Sequence, residues 1–312
     1  MKNDDLGNRM KSYYEERSRT YLTRRTPAIL RLDGTHFHTF CKGLKKPFDA
    51  ILVKTMQETT QYLCENIQGC VLGYTQSDEI TLVLVDYENL NSAAWFDYQV
   101  QKMVSVSASM AAMIFNKRFK FNVEEYKLEY KSSFVPQSID LQLKEQAYMS
   151  ALDKAVKTGA FFDARVFNIP KEEVTNCVLF RQIDAERNSI LALGQAHFSH
   201  SEMQNKNCKQ IQVELDKQGI IWGNLPTTLK RGSCCIKTTY YIDNDGNYMA
   251  EADDTYTDVE GCGVYRKSDN KVLGTIGCDN ATLCVRSHWI IDNEIPRFVN
   301  EGREYIEQLI NK

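Results

Sequence analysis

The chain lacks an apolar run approaching the roughly 20 residues that a membrane-spanning helix needs. It lacks a Gly-x-x-x-x-Gly-Lys stretch, which argues against a P-loop enzyme. It lacks a G-x-S-x-G elbow, so nothing points to a serine hydrolase. Its ten cysteines contain no Cys-x-x-Cys pair, and its five histidines do not stand at zinc spacing beside them. Cys234 and Cys235 are neighbours, too close for an easy structural bridge, so buried free thiols are expected. Charge of one sign is also missing: the net charge is −3. That is not the overall signature of a nucleic-acid binder, although local basic clusters stand at Arg24-Arg25, Lys117-Arg118 and Lys230-Arg231. The polar N-terminal stretch is unlike a signal peptide, and a cytoplasmic location is expected.

What is present is ordinary globular composition, with 43% hydrophobic and 25% charged residues in 312. That length suffices for one large domain or two ordinary ones. PAILRLDG at 27–34 is short, apolar and closed by Asp-Gly, which predicts a buried strand and a turn. DAILVKTMQETTQYLCEN at 49–66 carries Leu52, Met56, Tyr62 and Leu63 near helical spacing, with Asp49 as N-cap. GCVLGYTQ (69–76) and EITLVLVDY (79–87) read as two strands. Only Ser77 and Asp78 separate them, which predicts a tight hairpin. A helix is predicted at about 94–118, followed by a helical insertion over 119–160 and a strand in FFDARVFNIP.

The resulting order, β-α-β-β-α-(insertion)-β, predicts an α+β fold of the ferredoxin-like or split βαβ kind, an antiparallel sheet with helices on one face. In that topology the third strand lies between the first and second. The end of strand one then sits beside the turn from strand two to strand three, bringing Asp33 to Asp78. We expect a first domain over 1–200 and an accessory α+β region over 201–312. In the latter, 170–220 reads largely as helix and 231–285 as hairpins. DNDGN at 243–247 lacks the spaced ligands and final glutamate of a calcium loop, which favours a hairpin turn.

Asp33, Asp78 and Glu79 at one sheet edge repel one another unless something neutralises them. Magnesium, which takes hard oxygen ligands, does so, and paired metals serve phosphate chemistry. Singly, Asp33-Gly34 is as well a turn and Ser77-Asp78 a hairpin tip; jointly they point to a metal site. Lys46, just before the helix that starts near Asp49, suits a triphosphate together with helix-start amides. Arg31 shares a strand face with Asp33. Ser77 either offers a hydroxyl to a phosphate or serves the turn. His36 and His38 share a face if the chain stays extended, where they meet a nucleotide or pack under the insertion. Lys102 reads as a helix-surface lysine.

RLDGTHFHTF (31–40), KPFD (46–49), YTQSDEITLVL (74–84) and FRQIDAERNSI (180–190) resemble the tRNA-histidine guanylyltransferase family, in its bacterial and phage-type branch of 3′–5′ polymerases. The resemblance covers about 20–200. It implies a polymerase-type palm carrying two Mg²⁺ ions, held by Asp33, Asp78 and the carbonyl of Gly34, with Glu79 as a third acid. It implies that Lys46 and Ser77 hold the triphosphate and that Arg31 supports the site. It places Lys102 near the nucleotide that activates the RNA end, and Asn188 at phosphate. The implied reaction adds nucleotides to the 5′ end of tRNA, with ATP activating a 5′-monophosphate end and GTP or another nucleotide added. A homotetramer is implied as well.

Where eukaryotic members carry a His-Ile-Asn-Asn run, this chain has Glu186-Arg187-Asn188-Ser189. Glutamate stands where the family's histidine is tied to recognising histidine tRNA. Templated repair of 5′-truncated tRNA is therefore favoured over G addition to histidine tRNA. A palm-fold nucleotidyl cyclase and a non-catalytic RNA-binding protein are the other readings.

Overall fold

A computed structural model describes residues 5–132, 138–258, 261–277 and 281–311. The chain divides into two compact units, Met1–Cys234 with Asp292–Lys312, and Cys235–Ile291.

The first unit is built on four strands, β1 (Ala28–Thr35), β2 (Cys70–Gln76), β3 (Glu79–Leu84) and β4 (Phe161–Asn168). Their order is β2-β3-β1-β4, and each neighbouring pair is antiparallel. Helix α1 (Ala50–Asn66) links β1 to β2, and helices α2 (Val100–Ser132) and α3 (Ile139–Thr158) link β3 to β4. This is the expected palm topology. β3 lies between β1 and β2 as the hairpin reading requires.

Period-two alternation explains the layering. Leu30, Leu32, Ile80 and Leu82 are fully buried. A Cβ on Gly73, the register partner of Leu82, would stand 2.5 Å from Cys64 Sγ and 2.8 Å from Thr60 on α1, so that helix lies directly on this face. Phe37, Phe40, Phe115, Phe119 and Phe162 pack together between β1, α2 and β4, where Phe115 meets Phe37, Phe40 and Phe162 edge to face and stacks in parallel on Phe119. The opposite face, which carries Tyr74, Glu79 and Thr81, is met by α4 (Val174–His197) through Arg181.

Two local expectations are corrected. Asp33-Gly34 is not a turn, because β4 pairs Gly34 with Phe162 and Thr35 with Phe161 and so carries β1 two residues further. The helix expected to end near 118 runs unbroken to Ser132, because Phe119, Asn122 and Val123 continue the buried stripe.

The remaining elements of this unit are α5 (Cys208–Lys217), α6 (Thr227–Arg231) and α7 (Glu304–Ile310). In the second unit, β5 (Ser233–Asp243) pairs with β6 (Tyr248–Glu251). The Asp243 carboxylate accepts the amides of Asp245 and Asn247, which makes DNDGN a hairpin turn. Strands β7 (Thr255–Thr257), β8 (Gly263–Arg266) and β9 (Val272–Thr275) form an antiparallel sheet, and β10 (Leu283–Asp292) follows. Tyr241, Val264 and Leu283 form this unit's buried cluster.

Candidate functional site

The site grows from the β2–β3 turn. Gln76 pairs with Glu79, which leaves Ser77 and Asp78 to reverse the chain. Ser77 takes a left-handed conformation at φ 51°, as a two-residue hairpin demands. On the neighbouring strand Asp33 stands directly opposite Glu79, and the Gly34 amide donates to the Asp78 carbonyl at 3.0 Å. Asp33 and Asp78 therefore meet at one end of the sheet. Gly34 is required there by a close approach, since a Cβ would lie 2.3 Å from the Phe37 ring.

Burial pushes the Asp78 carboxyl above its ordinary value; its own amide and the Ser77 hydroxyl oppose this, and the charges of Asp33 and Glu79 add to it. Ser77 Oγ donates to Asp78 Oδ1 at 3.1 Å. Among the described residues, neither Asp33 nor Asp78 has a lysine or arginine in ion-pair contact. Two adjacent carboxylates with hard oxygen donors and no protein cation are suited to Mg²⁺. No group of three His, Cys, Asp or Glu side chains forms a metal cluster among the described residues.

Glu79, expected as the third acid, is committed elsewhere. It is 7% exposed and accepts from Nε and a terminal nitrogen of Arg181 in a bidentate pair. Arg181 also donates to Asp184 at 3.0 Å.

A cavity of about 280 Å³ opens beside the turn. It is walled by Lys46 and Phe48 before α1, by Leu52 and Val53 on α1, by Ser77, by Ala185, Asn188 and Ala192 on α4, and by Thr228 and Leu229 on α6. The structure therefore gathers three predicted nucleotide binders, Lys46, Ser77 and Asn188, around one space. Asp49 fixes the loop that carries Lys46: its carboxylate accepts the amides of Lys45 and Leu52 and the Tyr148 hydroxyl.

Other predicted residues are not among those lining the cavity. Arg31 sits mid-strand opposite Thr81 and Arg165, and its charge acts on Cys177 of α4. The Lys102 ammonium lies 5.7 Å from the centre of the Phe96 ring. His38 contacts Thr39 Oγ1 at 3.1 Å, and its ring centre is 6.3 Å from that of His36. The two histidines do not share an extended face. His36 is left-handed at φ 58°, and Phe37–Phe40 make one helical turn that buries both phenylalanines.

Sequence reasoning missed Cys41, Arg181 and the wall supplied by Thr228, Leu229 and Gly232. Cys41 lines the cavity, and its thiol is pushed up to about 12 by burial and then by the charges of Asp78 and Asp49. The α6 wall was legible only as a proline start and a glycine stop in PTTLKRG. Glu186, singled out for its departure from the family run, is held by two arginines, Arg297 at 3.2 Å and Arg231 at 3.8 Å.

Residues 7–170 match the family model described as "Thg1: tRNAHis guanylyltransferase". A bacterial tRNA(His) guanylyltransferase (Thg1)-like protein solved in complex with ATP is 32% identical, with a TM-score of 0.68 over 98% of both chains. A bacterial Thg1-like structure in complex with GTP is also 32% identical, with a TM-score of 0.67 over 99% of this chain and 100% of that one. An uncharacterised protein of Acanthamoeba polyphaga mimivirus is 26% identical over 261 residues, 78% of this chain and 81% of its own length.

Proposed function

The chain belongs to the tRNAHis guanylyltransferase (Thg1) family, and from that premise we propose that it repairs tRNA 5′ ends by template-dependent 3′–5′ nucleotide addition. It is a nucleotidyltransferase of the tRNA guanylyltransferase-like kind. The finer reading rests on Glu186. A side chain already neutralised by Arg297 and Arg231 is a poor substitute for a histidine that reads one tRNA.

In this reading a 5′-monophosphate end first attacks the α-phosphorus of ATP. Pyrophosphate leaves and an adenylylated RNA end remains. The 3′-hydroxyl of the incoming nucleotide then attacks the RNA 5′ phosphorus, and AMP leaves. A 5′-triphosphate end enters at the second step and releases pyrophosphate.

Asp33, Asp78 and the Gly34 carbonyl would hold two Mg²⁺ ions. When bound, these would lower the pKa of the attacking hydroxyl and neutralise charge on the leaving phosphate. Lys46 neutralises the triphosphate, Ser77 donates to one of its oxygens, and Asn188 offers an amide from α4. Glu79 and Arg181 brace the turn rather than touch the nucleotide. Watson–Crick pairing with the tRNA selects the base. The partners are therefore tRNA, ATP, and GTP or another nucleoside triphosphate.

The test uses tRNAs lacking the first 5′ nucleotide, with each of the four bases opposite the gap, plus Mg²⁺, ATP and labelled nucleotides. Addition of the complementary nucleotide in every case is the expected result. Addition of G alone, and only to histidine tRNA, overturns the repair reading in favour of a dedicated guanylyltransferase. Consumption of nucleotide with no RNA product overturns it in favour of a cyclase.

A further inference from the structure

The segment expected as an insertion, 119–160, folds as the end of α2 and as α3, and both reach the loop that carries Lys46. That loop runs from the helical turn at Phe37–Phe40 to the start of α1. Gly43 in it has φ +93°, and a Cβ there would stand 2.8 Å from the Ala151 Cβ, so the loop lies directly on α3. The Lys45 ammonium donates to the Tyr126 hydroxyl at 2.7 Å, lies 3.6 Å from a Glu145 carboxylate oxygen and sits 4.1 Å from the centre of the Tyr148 ring. The two tyrosine rings meet edge to face at 5.6 Å, and the Tyr126 hydroxyl donates to Glu145, so the two helices form one support.

The bond from Tyr148 to Asp49 is the central tie in this set. Asp49 is 4% exposed, and a buried carboxylate needs donors on both oxygens. The Leu52 amide supplies Oδ1, as an N-cap does. Oδ2 takes the Tyr148 hydroxyl at 2.8 Å and the Lys45 amide at 3.1 Å. Burial, and then the bond to Asp49, push the Tyr148 hydroxyl far above its ordinary pKa, so it stays protonated and donating. The Lys45 amide therefore docks on an oxygen that α3 holds from the other side, and Lys46 is the next residue of the chain. Lys46 lines the cavity, whereas Tyr148 is not among the lining residues.

We propose that Tyr148 is a positioning residue for nucleotide binding: acting through Asp49, it lets the insertion helix α3 hold the loop with Lys46 turned to the triphosphate. The proposal rests on the reading of the cavity as the nucleotide site. It makes the insertion part of the binding machinery rather than a spacer between β3 and β4. Without the hydroxyl, ordering of the loop becomes a cost that falls on the binding step.

The test is a double-mutant cycle on the affinity for GTP with Mg²⁺, measured by titration calorimetry. Tyr148→Phe keeps the ring beside Lys45 and removes only the hydroxyl. It is expected to weaken GTP binding about fivefold, the equivalent of one hydrogen bond, with an unchanged circular dichroism spectrum. In a Lys46→Ala background the same change is expected to cost less than about twofold, because the residue it positions is gone. A hydroxyl that served the fold alone would weaken binding equally in both backgrounds, and that additive result overturns the proposal. So does an unchanged affinity in Tyr148→Phe. Should Tyr148→Phe fail to fold, Tyr126→Phe, which cuts the tie at Lys45, goes through the same cycle with the same criteria. A wild type that binds no GTP overturns the nucleotide site and this proposal together. A wild type that binds GTP with the expected coupling but extends no tRNA supports the proposal and overturns the repair reading alone.

Discussion

The amide of Gly34 donates to the carbonyl of Asp78 at 3.0 Å, tying the end of β1 to the turn between β2 and β3. This bond holds the two aspartates at a fixed separation by backbone rather than by side chain. Either carboxylate can then be changed without undoing the turn. Asp78→Asn is expected to reduce nucleotide addition by about 100-fold or more, since loss of a metal ligand removes several kcal/mol of transition-state stabilisation. The melting temperature is expected to hold or rise, because the substitution removes a half-buried charge beside Asp33 and Glu79. Rate and melting temperature are measured on the same preparation. A normal rate in a folded variant removes Asp78 from the chemistry.

The pair beside that turn behaves in the opposite way. Glu79 and Arg181 are both nearly buried, with side-chain exposures of 9% and 11%. Arg181→Met strands the Glu79 carboxylate without its cation and is expected to cost about 3–5 kcal/mol in urea unfolding. The double variant Glu79→Leu with Arg181→Met removes both charges and is expected to recover most of that loss. A single variant that loses less than about 1 kcal/mol would mean that solvent reaches Glu79.

These two contacts also mark what the sequence could and could not convey. The meeting of Asp33 and Asp78 was legible because a two-residue hairpin and one helical crossover permit few topologies. The commitment of Glu79 to Arg181 was not, because it depends on where α4 crosses the sheet, and no local pattern encodes a crossing. The cavity was half legible. Lys46, Ser77 and Asn188 lie in the family's motifs, whereas Thr228 and Leu229 come from a short helix outside any motif. His36 and His38 were placed on an extended chain because alternation resembles a strand. Burial of Phe37 and Phe40 against α2 instead winds that stretch into a helical turn.

In the proposed reaction two lysines are expected to act at different steps. Lys46 lines the cavity and Lys102 does not. Lys46→Ala is expected to raise the KM for the incoming nucleotide by about tenfold or more, the equivalent of one charge-assisted hydrogen bond, on every RNA end. Lys102→Ala is expected to slow addition to 5′-monophosphate tRNA while sparing 5′-triphosphate tRNA, which needs no activation. Single-turnover rates on the two kinds of end distinguish these. Equal slowing on both ends by Lys102→Ala would contradict a role confined to activation.

The wall of the cavity contributed by α6 depends on Gly232. Its φ is +86°, and a Cβ there would stand 2.5 Å from the Thr75 carbonyl and 2.9 Å from the Tyr74 hydroxyl. Tyr74 in turn donates to the Arg231 carbonyl at 2.6 Å, so β2 and the end of α6 are held in direct contact. Gly219 supplies the control: φ is +78°, but nothing lies within 4 Å of its Cβ position. Alanine at Gly219 costs only the left-handed conformation, about 1 kcal/mol. Alanine at Gly232 adds a clash with backbone that cannot swing aside. It must push α6 outward, and with it Thr228 and Leu229. Gly232→Ala is therefore expected to lose about 2 kcal/mol or more and to raise the KM for nucleotide, while Gly219→Ala leaves KM unchanged. Equal stability losses and an unchanged KM in both variants would show that the contact of α6 with β2 does not shape the cavity.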